Sequence, residues 1–281
     1  MNNEEWHQWR RQGIGSSDAA TIMGVSPWKT PYELWQDKVF GTSEQLDNSS
    51  MMRGRELEPV ARTWFEKTMG VAVFPKNKVH PAKSWVRASL DGMDIDDHVL
   101  VEIKCPNKED HFVALNEKVP EKYIPQVQHQ LLVTGLDGMY YCSFDGQNGA
   151  IVEVARDNAY IEAMLAEEQK FWDMVLSKIP PPLTERDFVS MEDHKQWKQI
   201  SAKWLENKKA LDQAEDLDKH LRQLLIELSD EHNAEGHGMK ISKSICQGNI
   251  DYKQIMADYP SIDWESYRKK PFTKWNFRAT G

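Results

Sequence analysis

The residues best equipped for chemistry in this 281-residue chain are Asp91, Glu102 and Lys104. Asp91 follows the run Trp85-Val86-Arg87-Ala88-Ser89-Leu90, and Glu102 and Lys104 alternate with Val101 and Ile103 in the run Val99 to Lys104. Both runs are rich in β-branched and apolar residues, and Asp94 to His98 between them is Asp-rich. The pattern predicts two strands joined by a turn. Alternate strand residues share a face, so Glu102 and Lys104 point one way while Val101 and Ile103 enter a core. If the two strands are neighbours, Asp91 lands beside Glu102. Two carboxylates suit Mg²⁺ or Mn²⁺, hard cations that keep several waters. Such an ion acidifies water and steadies charge on a phosphoryl oxygen, and a Lys beside that water orients it. The plain alternative is a surface ion pair. Charges set among apolar residues are costly without a partner or a task, which favours a site.

Further motifs flank this group in order: Arg11-Gln12-Gly13-Ile14-Gly15-Ser16-Ser17-Asp18, Gly54-Arg55-Glu56-Leu57-Glu58-Pro59, Ser89-Leu90-Asp91-Gly92, Glu102-Ile103-Lys104-Cys105-Pro106 and Gln126-Val127-Gln128. Together they resemble the PD-(D/E)xK nucleases, and among those the phage-type recombination exonucleases similar to lambda exonuclease and YqaJ. The resemblance implies an α/β nuclease core over residues 1–183, a central mixed sheet flanked by helices, with a C-terminal helical accessory domain over 184–281. It implies that Asp91, Glu102, Glu58 and the backbone carbonyl of Ile103 hold the metal, and that Lys104 positions the attacking water. Two Mg²⁺ ions (or Mn²⁺) about 4 Å apart would steady the attacking and leaving oxygens. Arg11, Ser89 and Gln126 would hold a DNA 5′-phosphate. Ungapped counting sets the family's other phosphate-binding Ser on Asp18, leaving Ser16 and Ser17 as the hydroxyls nearby. Met51 and Met52 match a wedge that splits the duplex end, and apolar side chains can insert between bases. The implied activity is Mg-dependent 5′-to-3′ digestion of one strand of linear duplex DNA. The implied assembly is a homotrimeric ring, and the implied partner a single-strand annealing protein.

The elements that must position these residues are legible from caps and periodicity. Glu5 to Arg10 reads as a short helix with Trp6 and Trp9 on one side, by default in the core. Ser16-Ser17-Asp18 reads as the N-cap of a helix through Met23, and a Gly-containing loop before a helix N-terminus can cradle a phosphate. Pro31 opens a helix ending at Gly41. Met51 to Met69 is a helix with a kink or local break expected at Pro59. Val71 to Phe74 and Lys78 to His80 read as short strands. Glu121 to Thr134 is a helix that carries Gln126. A hairpin follows around Asp145 to Gly149, then an amphipathic helix from Asn158 to Lys178. The Pro180-Pro181-Pro182 run marks the domain boundary. Beyond it, Met191 to His232 is charged and helical, with a coiled-coil-like seam from Leu211 to Leu228. A small hairpin around Gln247-Gly248 and an aromatic and basic tail, suited to single-stranded DNA or a partner, close the chain.

The net charge of −9 argues mildly against a nucleic-acid binder, whose usual mark is a basic domain. Carboxylates around a metal account for part of it, and a DNA path needs only a local basic lining, for which Arg10, Arg11, Arg53, Arg55, Lys76 and Lys78 are candidates. Cys105, Cys142 and Cys246 are too few for the four thiolates of an iron–sulfur cluster, so none is expected. The polar N-terminus and the absence of a long apolar run suggest a soluble, cytoplasmic protein with no membrane partner. Competing readings are an endonuclease of the same fold, of restriction or repair type, and a catalytically silent DNA-binding protein. The intact Asp91, Glu102 and Lys104 disfavour the silent one.

Overall fold

Alternation along one strand sets the architecture. In the computed structural model, which describes residues 3–41, 49–269, 272 and 274–279, Val101 and Ile103 enter one core while Leu100 enters another. These residues belong to β4 (Leu100–Lys104), which is central to a mixed sheet. The other strands are β1 (Ile14–Gly15), β2 (Phe74–His80), β3 (Lys83–Met93), β5 (Gly138–Phe144) and β6 (Gly149–Ala155), in the order β1-β3-β4-β5-β6 with β2 also paired to β3. β3 and β4 are antiparallel, whereas β4 and β5 are parallel. A parallel pair needs a long crossover. Here α5 (Lys108–Leu115) and α6 (Ile124–Thr134) supply it, which sets α6 against the sheet.

One core lies under α4 (Ser49–Met69), where Ala61 and Phe65 meet Val101, Ile103, Cys142 and Phe144. The other gathers Ala19 of α2 (Ser16–Ile22), Val127 and Leu131 of α6, and Ile161 and Met164 of α7 (Asn158–Ser177) against Leu100 and Tyr141. Glu102 keeps step with Leu100, and so faces α6. Ahead of these lie α1 (Asn3–Arg11) and α3 (Pro31–Phe40), the latter capped by Thr30 and ended by Gly41 in the left-handed region.

Two local expectations change. α4 runs unbroken through Pro59, because the packing of Ala61 and Phe65 outweighs the one hydrogen bond that proline removes. Residues 71–73 are not strand; β2 is one strand from Phe74 with a shift in register before Lys76.

Gly92, between Asp91 and Met93, has no room for a side chain. A Cβ there would lie 2.7 Å from both Val101 Cγ1 and Val73 Cγ2. Gly92→Ala is therefore expected to destabilise the protein by about 1–3 kcal/mol through overpacking, read as a lowered urea midpoint with an unchanged m-value.

The chain divides into two units, Met1–Val189 and Ser190–Gly281. The second contains α8 (Lys195–Leu228), the strands β7 (Ala234–Gly236) and β8 (Met239–Ile241), and α9 (Tyr252–Asp258). The hairpin lies earlier than expected. Its turn is His237-Gly238, both with positive φ (48° and 78°), as a tight right-twisted hairpin requires. No helix among the described residues is long and apolar enough to cross a membrane.

Candidate active site

β3 and β4 share only two rungs, Gly92 opposite Val101 and Met93 opposite Leu100. The register continued one residue further sets Asp91 against Glu102. There the ladder gives way to a side chain: the Ile103 N–H donates to Asp91 Oδ2 at 2.9 Å. Glu102 is fully buried. Its Oε1 accepts from Gln126 Nε2 and pairs with Lys104, and its Oε2 accepts from Gln130 Nε2. The two glutamines are one turn apart on α6, so that helix grips the carboxylate with two amides. Lys104 Nζ also lies 5.4 Å from the ring centroid of Tyr123.

These groups open onto a cleft of about 160 Å³ lined by Trp6, Trp9, Arg10, Gly15, Ser16, Ser17, Ser89, Asp91, Glu102, Lys104 and Gln126. Burial and the Glu102 carboxylate push the Asp91 carboxyl up to about 8, with Lys104 opposing. Burial alone would lower Lys104, but Glu102 and Asp91 more than reverse it and hold the ammonium charged.

The far wall is built around an ion pair that the motifs did not reveal. Lys38 of α3 is buried and pairs with Asp18 at 2.6 Å, while donating to the carbonyls of Arg10 (2.9 Å) and Gly13 (2.7 Å). Burial pulls the Lys38 pKa below its ordinary value. For Asp18, burial acts upward, yet Lys38 and Arg10 hold its carboxyl well below the usual range. Asp18 also accepts from the Gly15 N–H at 2.9 Å, so Gly15 is the N-cap rather than Ser16. One lysine thus ties the end of α1, the glycine loop and the start of α2 together. Asp18 is committed inward, which leaves the hydroxyls of Ser16 and Ser17 at the cleft.

The structure turns Arg11 away from the cleft. Its guanidinium occupies the space beside Gly41, where a Cβ would meet Nη1. α1 continues through Arg11 instead of ending before it, and consecutive helical residues diverge in direction. Arg10 takes the cleft position, donating to Ser17 Oγ (2.8 Å) and Asp18 Oδ1 (2.9 Å), with its guanidinium 4.9 Å from the Trp6 ring centroid. Trp6 and Trp9, expected in the core, are half-buried and line the cleft. Trp6 Nε1 donates to Ser89 Oγ, which in turn donates to Asn77 Oδ1. The sequence signal was the i, i+4 spacing of Trp6 and Arg10.

Glu58 does not line the cleft. It pairs with Arg62 at 2.5 Å, and Arg62 Nε donates to the backbone carbonyl of Asp91 at 3.1 Å. Met52 is exposed on α4, and the side chain of Met51 lies outside the described residues. Gln128 is buried and bonded to Ala155 and Asp157, so its role is structural. Lys76 and Lys78 both pair with Asp97.

The donors present fit a hard divalent cation. Asp91 Oδ1 accepts no hydrogen bond from the described residues, and the repulsion that raises Asp91 is what a cation would relieve. Among the described residues no group of three or more His, Cys, Asp and Glu is placed to hold an ion. Asp91 and Glu102 are the carboxylates that line the cleft, and a hard ion such as Mg²⁺ needs few protein ligands because it keeps several waters.

Comparison with known proteins bears on this geometry. Residues 5–137 match the model of the YqaJ-like viral recombinase domain. The chain is 29% identical over 295 aligned positions to protein YqaJ of Bacillus subtilis strain 168, spanning 96% of this chain and 92% of that one. It is 23% identical over 163 positions to protein D345L of African swine fever virus, spanning 48% of this chain and 46% of that protein. The fold is similar to the alkaline exonuclease LHK-Exo of Laribacter hongkongensis, with 28% identity, a TM-score of 0.55, and 63% and 94% of the two chains covered. The same enzyme in complex with dAMP matches at 27% identity and a TM-score of 0.56, with the same coverage.

Proposed function

We propose, on the match of residues 5–137 to the YqaJ-like viral recombinase domain, that this chain is a divalent-metal-dependent 5′-to-3′ exonuclease that digests one strand of linear duplex DNA. The observation that carries the reading is the meeting of Asp91, Glu102 and Lys104 in one cleft, on a fold similar to an alkaline exonuclease. The capture of dAMP by LHK-Exo supports mononucleotides as the product.

Asp91, Glu102 and, as the resemblance implies, the Ile103 carbonyl would hold the ion. When bound, Mg²⁺ supplies charge neutralisation at the phosphate and acidity to water. Gln126 and Gln130 fix the Glu102 carboxylate, so that its direction is set before substrate arrives. Lys104, kept protonated, orients the attacking water and stabilises the charge that gathers on the phosphoryl oxygens. Glu58, tied through Arg62 to the Asp91 carbonyl, adds negative charge behind Asp91. Arg10, Ser16, Ser17 and Ser89 form the wall that receives the 5′-phosphate. The 3′ overhang left behind is a substrate for a single-strand annealing protein.

The test supplies linear duplex with a 5′-phosphate, the same duplex without it, and closed circular plasmid, each with Mg²⁺ and with EDTA. Mononucleotides are expected from the first, more slowly from the second, and none from the circle or under EDTA. Nicking of the circle would replace the exonuclease reading with an endonuclease.

The wall yields a prediction of its own. Arg10→Ala should lower kcat/KM on 5′-phosphorylated ends by about 10- to 100-fold, the loss of one charge-assisted hydrogen bond. Its effect on unphosphorylated ends should be much smaller. Arg11→Ala should leave the ratio between the two ends unchanged. Equal ratios for wild type and Arg10→Ala would remove Arg10 from the phosphate site.

A further inference from the structure

α8 is a single helix from Lys195 to Leu228 with none of its residues buried, and two series of mostly apolar residues run along it at heptad spacing. The first seam position recurs at Trp197, Trp204, Leu211, Asp218 and Leu225. The second recurs at Ile200, Asn207, Ala214, Leu221 and Leu228. The sequence alone places the seam on Leu211, Ala214, Leu217, Leu221, Leu224 and Leu228; Leu217 and Leu224 flank the heptad positions on one side and widen the stripe. Ile200 is 68% exposed, Leu221 49% and Leu228 83%. A seam of this kind is the contact surface of a coiled coil.

We propose that α8 pairs with α8 of a second copy of this chain, antiparallel, about a two-fold axis between Leu211 and Ala214. A two-fold interface is self-complementary: if one residue meets another, the reverse contact also forms. Antiparallel pairing about that axis sets Trp197 against Leu228, Ile200 against Leu225 and Trp204 against Leu221. It also sets the two polar seam residues, Asn207 and Asp218, against each other. An Asn amide then donates to an Asp carboxylate in each of two layers. Asp218 keeps Arg222 of its own helix, at 2.8 Å. Parallel pairing would set Asp218 against Asp218 inside the seam, a buried repulsion.

The charge along the helix points the same way. Residues 195–211 carry Lys195, Lys198, Lys203, Lys208 and Lys209 against Glu206. Residues 212–228 carry Asp212, Glu215, Asp216, Asp218 and Glu227 against Lys219 and Arg222. Antiparallel copies lay the basic half of one on the acidic half of the other, with Lys208 and Glu215 facing across the seam's flank. An unrelated partner would have to carry the inverse pattern, whereas a second copy carries it by construction. The Trp204 ring lies 6.0 Å from that of Phe277, so among the described residues this seam position has cover from its own chain's tail.

The test uses the full-length chain. Light scattering across a concentration series should show self-association, and Leu221→Glu should raise the apparent dissociation constant at least about tenfold. Circular dichroism should show its helix content retained, since Leu221 is exposed. Orientation is read in a Cys246→Ser background by mixing Ile200→Cys protein with Leu225→Cys protein under mild oxidation. A mixed disulfide between the two is expected, with little from either alone. A monomeric wild type, an unchanged association in Leu221→Glu, or self-crosslinking of Ile200→Cys would each overturn the proposal.

Discussion

The Lys104→Ala protein is expected to bind linear duplex DNA and to release mononucleotides at least about 10²–10⁴-fold more slowly than wild type. The argument starts from charge. Lys104 is half-buried beside Glu102 and Asp91, and their carboxylates hold its ammonium protonated against the pull of burial. A protonated lysine takes no proton from water; it donates to it. It can orient the water and stabilise the phosphoryl oxygens as charge develops, a contribution felt most in the transition state. Its loss therefore falls on kcat more than on DNA affinity. The ion should also remain. Lys104 is a cation next to two carboxylates, so removing it makes the cleft more negative, and Mg²⁺ affinity measured by calorimetry should not fall. Asp91→Asn should do the opposite, losing activity together with Mg²⁺ affinity. If Lys104→Ala retained wild-type kcat, the cleft would not be the site of hydrolysis.

The α/β core was legible because its signals are local. Alternation in Val99 to Lys104 is a period of two, and the two chemical residues share one phase of it, so their face followed from the spacing alone. The stop at Gly41 and the helix start at Pro31 were read in the same way, from one residue each. What escaped the reading were contacts between distant segments. Lys38 is an unremarkable lysine within a helix; its importance comes from packing against Asp18, Arg10 and Gly13. Gln130 looks like a solvated helix residue until α6 is laid on the sheet and its amide meets Glu102. The choice between Arg10 and Arg11 turned on where α1 ends, and helix ends are the least certain feature of any sequence reading. For Trp6 and Trp9, bulk suggested the core, but the half-buried rings line the cleft, where Arg10 and Arg87 lie over them.

The largest effect on stability is expected at a residue that carries no motif. Glu168 of α7 is fully buried and pairs with His129 of α6, itself fully buried, at 2.7 Å. His129 Nδ1 faces the Glu168 carboxylate and Nε2 faces the Arg87 carbonyl at 2.9 Å. An ionised Glu168 and the Arg87 carbonyl are both acceptors, an arrangement that favours a proton on each ring nitrogen and so the imidazolium. Burial opposes that charge, but Glu168 and the Arg87 carbonyl outweigh it and raise the His129 pKa. Glu168→Gln leaves a buried imidazolium without its counter-charge, and breaking a buried pair in this way costs about 3–5 kcal/mol. The pH dependence has a definite sign. A histidine whose pKa is raised by folding contributes its full stability below the unfolded value, and the contribution is lost as pH rises through the folded value. The gap between wild type and Glu168→Gln should therefore be widest in mildly acidic buffer and should close as the pH climbs past the raised His129 value. Because His129 lies between Gln126 and Gln130 on α6, the variant should also loosen the grip on Glu102 and lower turnover at pH values where it remains folded. Urea denaturation of both proteins across that range checks the prediction. A gap that stays constant with pH would show that Glu168 acts by packing and that His129 is neutral.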